Sequence, residues 1–265
     1  MPKAYYILSL FLCLTLHNVR ASYILIPMDA DAQQNHLKAY GITYLSLKNG
    51  HKVQWLLNYR GGSFLLEDIK SLREECTIRG VSFEVISDSK ALSILEYIKS
   101  PSQNMDAVLL EKAPKVAVYS PKGNKPWDDA VTMILTFAEI PYDIIYDEDI
   151  LNDALTKYEW LHLHHEDFSG QFGKFYGAYR TAPWYIKEKL EAEALAKKLG
   201  FSKVSQEKLA VAKRIKDFVI GGGFMFAMCS AADSFDIALS AEDVDICEPM
   251  FDGDPSTPNY QDKID

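Results

Sequence analysis

The chain has 265 residues and a mass of 30.0 kDa, enough for one large core or two small ones. Its residues are 48% apolar and 25% charged, which excludes a disordered chain, a collagen-like fibre and a coiled coil. Lys and Arg number 28 against 37 Asp and Glu, a net charge of −9, so no basic face stands out and nucleic acid is not expected as a partner.

The first residues read as a leader. Lys3 precedes an apolar run at 5–16, and Val19-Arg20-Ala21 resembles a small-x-small cleavage site. A secretory signal at 1–21 with Ser22 as the mature start predicts an exported protein, periplasmic or extracellular. The alternative for the same run is a buried first strand. No later apolar run approaches the roughly 18 residues of a membrane helix, so no membrane span is expected. Cys13 falls in the leader, which leaves Cys76, Cys229 and Cys247, too few for a disulfide scaffold.

From there the pattern predicts a strand at 23–28 and a helix at 34–48, with Leu37, Tyr40, Tyr44 and Leu47 on one stripe and Gly50 closing it. A strand follows at 52–57, then Arg60-Gly61-Gly62-Ser63, read as an anion-binding turn or an ordinary loop. A helix at 66–79, a strand at 81–86, a helix at 91–99 and a short strand at 107–110 complete an N-terminal unit over 22–112. This βαβαβα(β) order predicts a parallel sheet covered by helices.

A second α/β unit spans 113–240. Strands are predicted at 115–119, 142–146, 160–164 and 224–228, and helices at 127–138, 149–155, 183–199 and 231–239. Another helix starts at Ser205 with Leu209, Ala212, Ile215 and Val219 inward. Between 166 and 182 the chain is irregular and rich in Gly and aromatic residues. From Asp233 to the end there are ten Asp or Glu against Lys263 alone, so 241–265 reads as a solvated acidic tail. The tail holds Pro249, Pro255 and Pro258 and no closing element, which suggests a piece of a longer chain.

Two constellations carry chemistry. Cys229 follows the predicted strand GFMFAM and precedes the predicted helix SAADSFDIAL, with Ala227 and Ala231 two positions either side. A nucleophile on a strand-to-helix elbow needs small neighbours because the backbone crowds the turn. A helix N-terminus behind it favours the thiolate and offers amides to an oxyanion. Cys229 equally suits a buried small hydrophobe at the end of a core strand. The second constellation is His162, His164, His165, Glu166 and Asp167. On a strand His162 and His164 share a face about 7 Å apart, at the carboxyl end where open α/β sheets place ligands. Zinc ligation, a ligand-facing polar cluster and plain packing are all open for it. The aromatic loop that follows supplies Tyr176 and Arg180, and Arg180 suits a carboxylate.

The runs GGGFMFAMCSA (221–231) and WLHLHHED (160–167) resemble class I glutamine amidotransferase-like and ThuA-like domains. The resemblance implies two flavodoxin-like units with a nucleophile at the elbow. The longer pattern, from ILIPMD (24–29) and NHLKAYG (35–41) through PKG (121–123), resembles exported bacterial proteins often labelled asparagine synthetase B. That synthesis needs an N-terminal Cys and an S-G-G-x-D-S loop for ATP. Position 2 is Pro and no such loop exists, so the synthetase chemistry is not expected. In class I amidotransferases the base is a His after the nucleophile, whereas the last histidine here is His165.

The sequence therefore predicts an exported α/β protein with two parallel-sheet, flavodoxin-like units. Its candidate catalytic residues are Cys229, His164, His165 and Glu166, and its ligand-binding residues are Asp167, Tyr176, Arg180 and Ser230. The expected ligand is a small molecule or glycan, without a cofactor. The alternatives are a non-catalytic binding module and a zinc-assisted hydrolase at His162 and His164.

Overall fold

In the computed structural model, which describes residues 22–120, 130–164 and 176–264, the chain divides between Ala113 and Pro114 into two compact units. The expected leader at 1–21 lies outside the described residues. Both units are α/β, but one sheet is antiparallel and the other parallel.

The first unit runs β1 (Ser22–Ile26), α1 (His36–Lys48), β2 (Val53–Leu57), β3 (Ser63–Glu67), α2 (Lys70–Ile78), β4 (Glu84–Ser87), α3 (Asp88–Ile98) and β5 (Asp106–Leu110). Its sheet order is β4-β1-β3-β2-β5 with every neighbouring pair antiparallel. The first six elements follow the β-α-β-β-α-β succession of a split βαβ unit, with β3 inserted between β1 and β2.

The parallel sheet expected for this unit is thus corrected, and two features explain why. The first is burial on both faces, which gives β1 the continuous apolar run typical of parallel strands. Ile24 and Ile26 pack with Ala39, Ile42 and Leu72 on one side, while Leu25 packs with Ala91, Ile94 and Ile98 on the other. The second is the added strand β3, which takes the residues read as the start of a helix at 66–79.

A tight turn makes that strand a hairpin partner of β2. Asn58, Arg60, Gly61 and Gly62 all have positive φ, at 61°, 46°, 78° and 93°. The turn is fastened to the end of β1, because the Met28 amide donates to the Arg60 carbonyl at 3.0 Å. Arg60 is already occupied: Nε donates to Asp29 Oδ2 at 2.9 Å and Nη1 to Glu84 Oε1 at 2.7 Å. The Arg60-Gly61-Gly62-Ser63 run is therefore a hairpin turn whose cation is neutralised within the unit. A Cβ on Gly61 would stand 2.5 Å from the Met28 carbonyl oxygen, whereas one on Gly50, also at positive φ, would meet nothing within 4 Å. Gly61→Ala is expected to cost about 2–3 kcal/mol and Gly50→Ala about 1 kcal/mol, compared by denaturant unfolding.

The second unit runs β6 (Val116–Tyr119), α4 (Ala130–Ala138), β7 (Tyr142–Ile145), α5 (Asp147–Leu151), β8 (Trp160–Leu163), α6 (Tyr176–Tyr179), α7 (Pro183–Lys198), α8 (Val204–Ile220), β9 (Phe224–Ala227), α9 (Ser230–Ser240) and α10 (Pro249–Asp252). Its strands are ordered β7-β6-β8-β9 and all pair in parallel. The central strand β6 (VAVY) is wholly buried, which its uninterrupted apolar character demands. One face packs Ala117, Tyr119, Leu161 and Leu163 against Ile150 of α5, Val211 and Ile215 of α8, and Ala231 of α9. The other packs Val116 and Val118 against Leu135 of α4.

The acidic stretch after α9 is folded on itself. The Thr257 amide donates to the Asp245 carbonyl at 2.8 Å, and the Asp245 amide donates to Thr257 Oγ1 at 2.9 Å. Lys203 also pairs with Asp254 at 3.1 Å. No helix among the described residues is long and apolar enough to cross a membrane.

Candidate functional site

The chain leaves β6 for β7 on one side and later returns to β8 on the other. Such a reversal opens a crevice beyond the carboxyl ends of the two inner strands, where open α/β sheets bind ligands. Here those ends are Tyr119 and Leu163, with Ala227 of β9 in register beside Leu163. Cys229 lies two residues past Ala227, and His164 one residue past Leu163.

Cys229 is exposed and stands at the N-cap of α9 with φ 56° and ψ −143°. That backbone region is nearly reserved for glycine, and an L-residue held there carries strain of about 1–3 kcal/mol. The neighbours make the turn feasible. Ala231 is fully buried immediately behind it, and Ala227 ends the strand in front. The Cys229 carbonyl accepts from the Ala232 amide at 3.2 Å, and Ser234 Oγ donates to the Ser230 carbonyl at 2.7 Å, which starts the helix. The approach to β9 is close too: a Cβ on Gly223 would fall 2.2 Å from the Phe218 ring, so a larger residue there requires that ring to move. The first N–H groups of α9 have no partner within the helix by virtue of its geometry.

The histidines divide. His162 is fully buried, its ring lies 5.6 Å from the Phe226 ring, and Nδ1–H donates to the Phe226 carbonyl at 3.1 Å. It ties β8 to β9 as a packing residue. His164 is 2% exposed, and its amide donates to the Tyr119 carbonyl at 3.0 Å, extending the β6–β8 ladder past the strand. Strand alternation assigns it to the face of Trp160, opposite Leu161, Leu163 and α9. The structure thus brings His164, Cys229 and Ser230 to one end of the sheet. His165, Glu166 and Asp167 lie outside the described residues, as do residues 121–123 of the longer pattern.

The two residues read from the aromatic loop are engaged elsewhere. Arg180 is exposed and its Nη1 donates to the Gly177 carbonyl at 2.9 Å. Tyr176 packs on Gly253 of the acidic stretch, where an added Cβ would meet its Oη at 2.8 Å. Among the described residues no group of three His, Cys, Asp or Glu is placed to hold a metal ion.

A polar cluster absent from the sequence reading lies beside this end of the sheet. Tyr119 Oη donates to Asp147 Oδ1 at 2.6 Å. Lys208 Nζ forms a short ion pair with Asp147 Oδ2 and donates to Tyr146 Oη at 3.0 Å and Tyr119 Oη at 3.3 Å. The ammonium also stands 4.5 Å from the centroid of the Tyr146 ring, which stacks on Tyr119. Burial pushes the Tyr119 hydroxyl well above its ordinary range, and the Asp147 charge adds to this. Burial pulls the Lys208 ammonium down, but Tyr146 and Asp147 reverse the direction and hold it raised. Glu207, 1% exposed, is pushed up to about 7 by burial first and then by the Asp147 charge, against the pull of Lys208.

The signal for this cluster was present in α8. Its buried side chains are Val204, Glu207, Lys208, Val211, Ala212 and Ile215, a helical stripe containing two charged residues. The expected stripe through Leu209 and Val219 started one step off, and Val219 is exposed. Charged residues at stripe positions need buried partners, and Asp147 is the one supplied. Comparison of the chain with family models, with curated proteins and with solved structures gives no match.

Proposed function

We propose that the second unit is a flavodoxin-like domain of an exported Cys-dependent hydrolase, amidotransferase-like in its chemistry, with Cys229 as nucleophile. The observation that carries this reading is the backbone of Cys229, φ 56° and ψ −143°, at an exposed strand-to-helix elbow. Such strain is retained where surroundings over-determine it, and it clusters at reactive sites. The strand order β7-β6-β8-β9 supports the fold assignment, because the flavodoxin-like order begins in the same way, 2-1-3-4 in the unit's own count.

In this reading the substrate is a small carboxamide. The Cys229 sulfur attacks its carbonyl carbon while the oxyanion faces the first amides of α9. The C–N bond then breaks, and nitrogen leaves as ammonia carrying the thiol proton. Water hydrolyses the thioester, releasing a carboxylic acid and restoring the thiol. His164, His165 and Glu166 are the proposed proton carriers, with Asp167 and Ser230 holding the ligand. Ammonia release from a panel of carboxamides, lost in Cys229→Ser, is the expected result. Release unchanged in that variant removes the nucleophile.

One observation favours a second reading, a non-catalytic module that holds a small ligand or glycan at the same end of the sheet. It is the placement of His164, buried and on the face opposite α9. Under that reading no panel member releases ammonia, while glycan or small-molecule binding survives Cys229→Ser.

A further inference from the structure

The Glu207 carboxyl is buried against Asp147, and its Oε1 meets no hydrogen-bond partner among the described residues. An ionised carboxylate with an unsatisfied buried oxygen is costly, whereas a protonated one needs only to donate through its other oxygen. The groups facing this carboxyl are Asp147 from the first turn of α5, Tyr146 from the cap of that helix, Tyr119 from the end of β6 and Lys208 from α8 itself. One ammonium thus serves two carboxyl groups. With one proton on the pair the cluster is neutral; without it, a net negative charge is buried between helices.

We propose that Glu207, buried beside Asp147, holds a proton as a proton-operated latch, which fastens the start of α8 to α5 and the end of β6 and loosens when the proton leaves. The latch lies outside the proposed thiol chemistry and does not depend on it. It bears on the same end of the sheet, since Tyr119 is the last residue of β6. The sign follows from the raised value of Glu207, about 7 against an ordinary 4.5. The folded state keeps the proton longer than the unfolded chain, so the contribution is complete below the ordinary value and lost as pH rises through about 7.

Hydrogen exchange of the full chain between pH 5 and pH 8, corrected for intrinsic rates, reads the latch directly. Protection of the first two turns of α8 is expected to fall by about 10- to 100-fold on going to pH 8. Glu207→Gln keeps a donor for Asp147 without a titration, so its protection there should be independent of pH. A wild type without the fall, or a variant that retains it, overturns the proposal. If the variant does not fold, the ¹³C shift of the Glu207 carboxyl in the wild type decides: a midpoint near 7 supports the latch, and one near 4.5 overturns it.

Discussion

Replacing Lys208 with Met lowers the unfolding free energy of the second unit by about 3–5 kcal/mol at pH 7. The ammonium is the only cation that contacts Asp147 among the described residues, and both side chains are almost wholly removed from water. Truncating it leaves two carboxyl groups and two phenols facing one another without a positive charge. The remaining pair must then take up protons to stay buried, so the loss should be smaller at pH 5 than at pH 8. Lys208→Met combined with Asp147→Leu should recover most of the deficit, because an apolar pair of similar volume avoids the desolvation of both ions. Denaturant unfolding of the single and double variants checks this. Equal stability of wild type and Lys208→Met at pH 8 would mean that the cluster is hydrated.

Cys229→Gly should abolish the proposed carboxamide hydrolysis and yet stabilise the protein, by about 1 kcal/mol net. Glycine removes strain of about 1–3 kcal/mol at φ 56°, partly offset by its greater freedom in the unfolded chain. Cys229→Ala keeps the Cβ and hence the strain, so its stability should match the wild type within about 0.5 kcal/mol. A gain in stability with a loss of reactivity marks a residue kept for chemistry. If glycine destabilises the protein, the turn carries no strain and the elbow reading fails.

The second unit was more legible in the sequence than the first, and the reason lies in β3. VAVY and WLHL announce buried strands, and GGG before FMFA marks the launch of β9. SFLLE, in contrast, is five residues between polar Ser63 and Glu67, short enough for its last two to read as the start of the helix at 66–79. Missing one strand of a hairpin reversed the direction of its neighbours and turned an antiparallel sheet into a parallel one. The elbow was legible because small residues flank Cys229 between a strand and a helix. The separation of His164 from α9 was not, since it depends on strand parity, and the buried cluster required Asp147 and Lys208, 61 positions apart, to be placed together.

The most direct measurement is competitive trapping of the thiols by an electrophilic carboxamide analogue at neutral pH, read residue by residue by mass spectrometry. The buried Cys76 thiol, pushed up to about 11 by desolvation, and the half-buried Cys247 serve as internal references. The elbow predicts an adduct on Cys229 formed at least about tenfold faster than on Cys247, and none on Cys76 in the folded chain. Labelling of Cys229 no faster than Cys247 would contradict it.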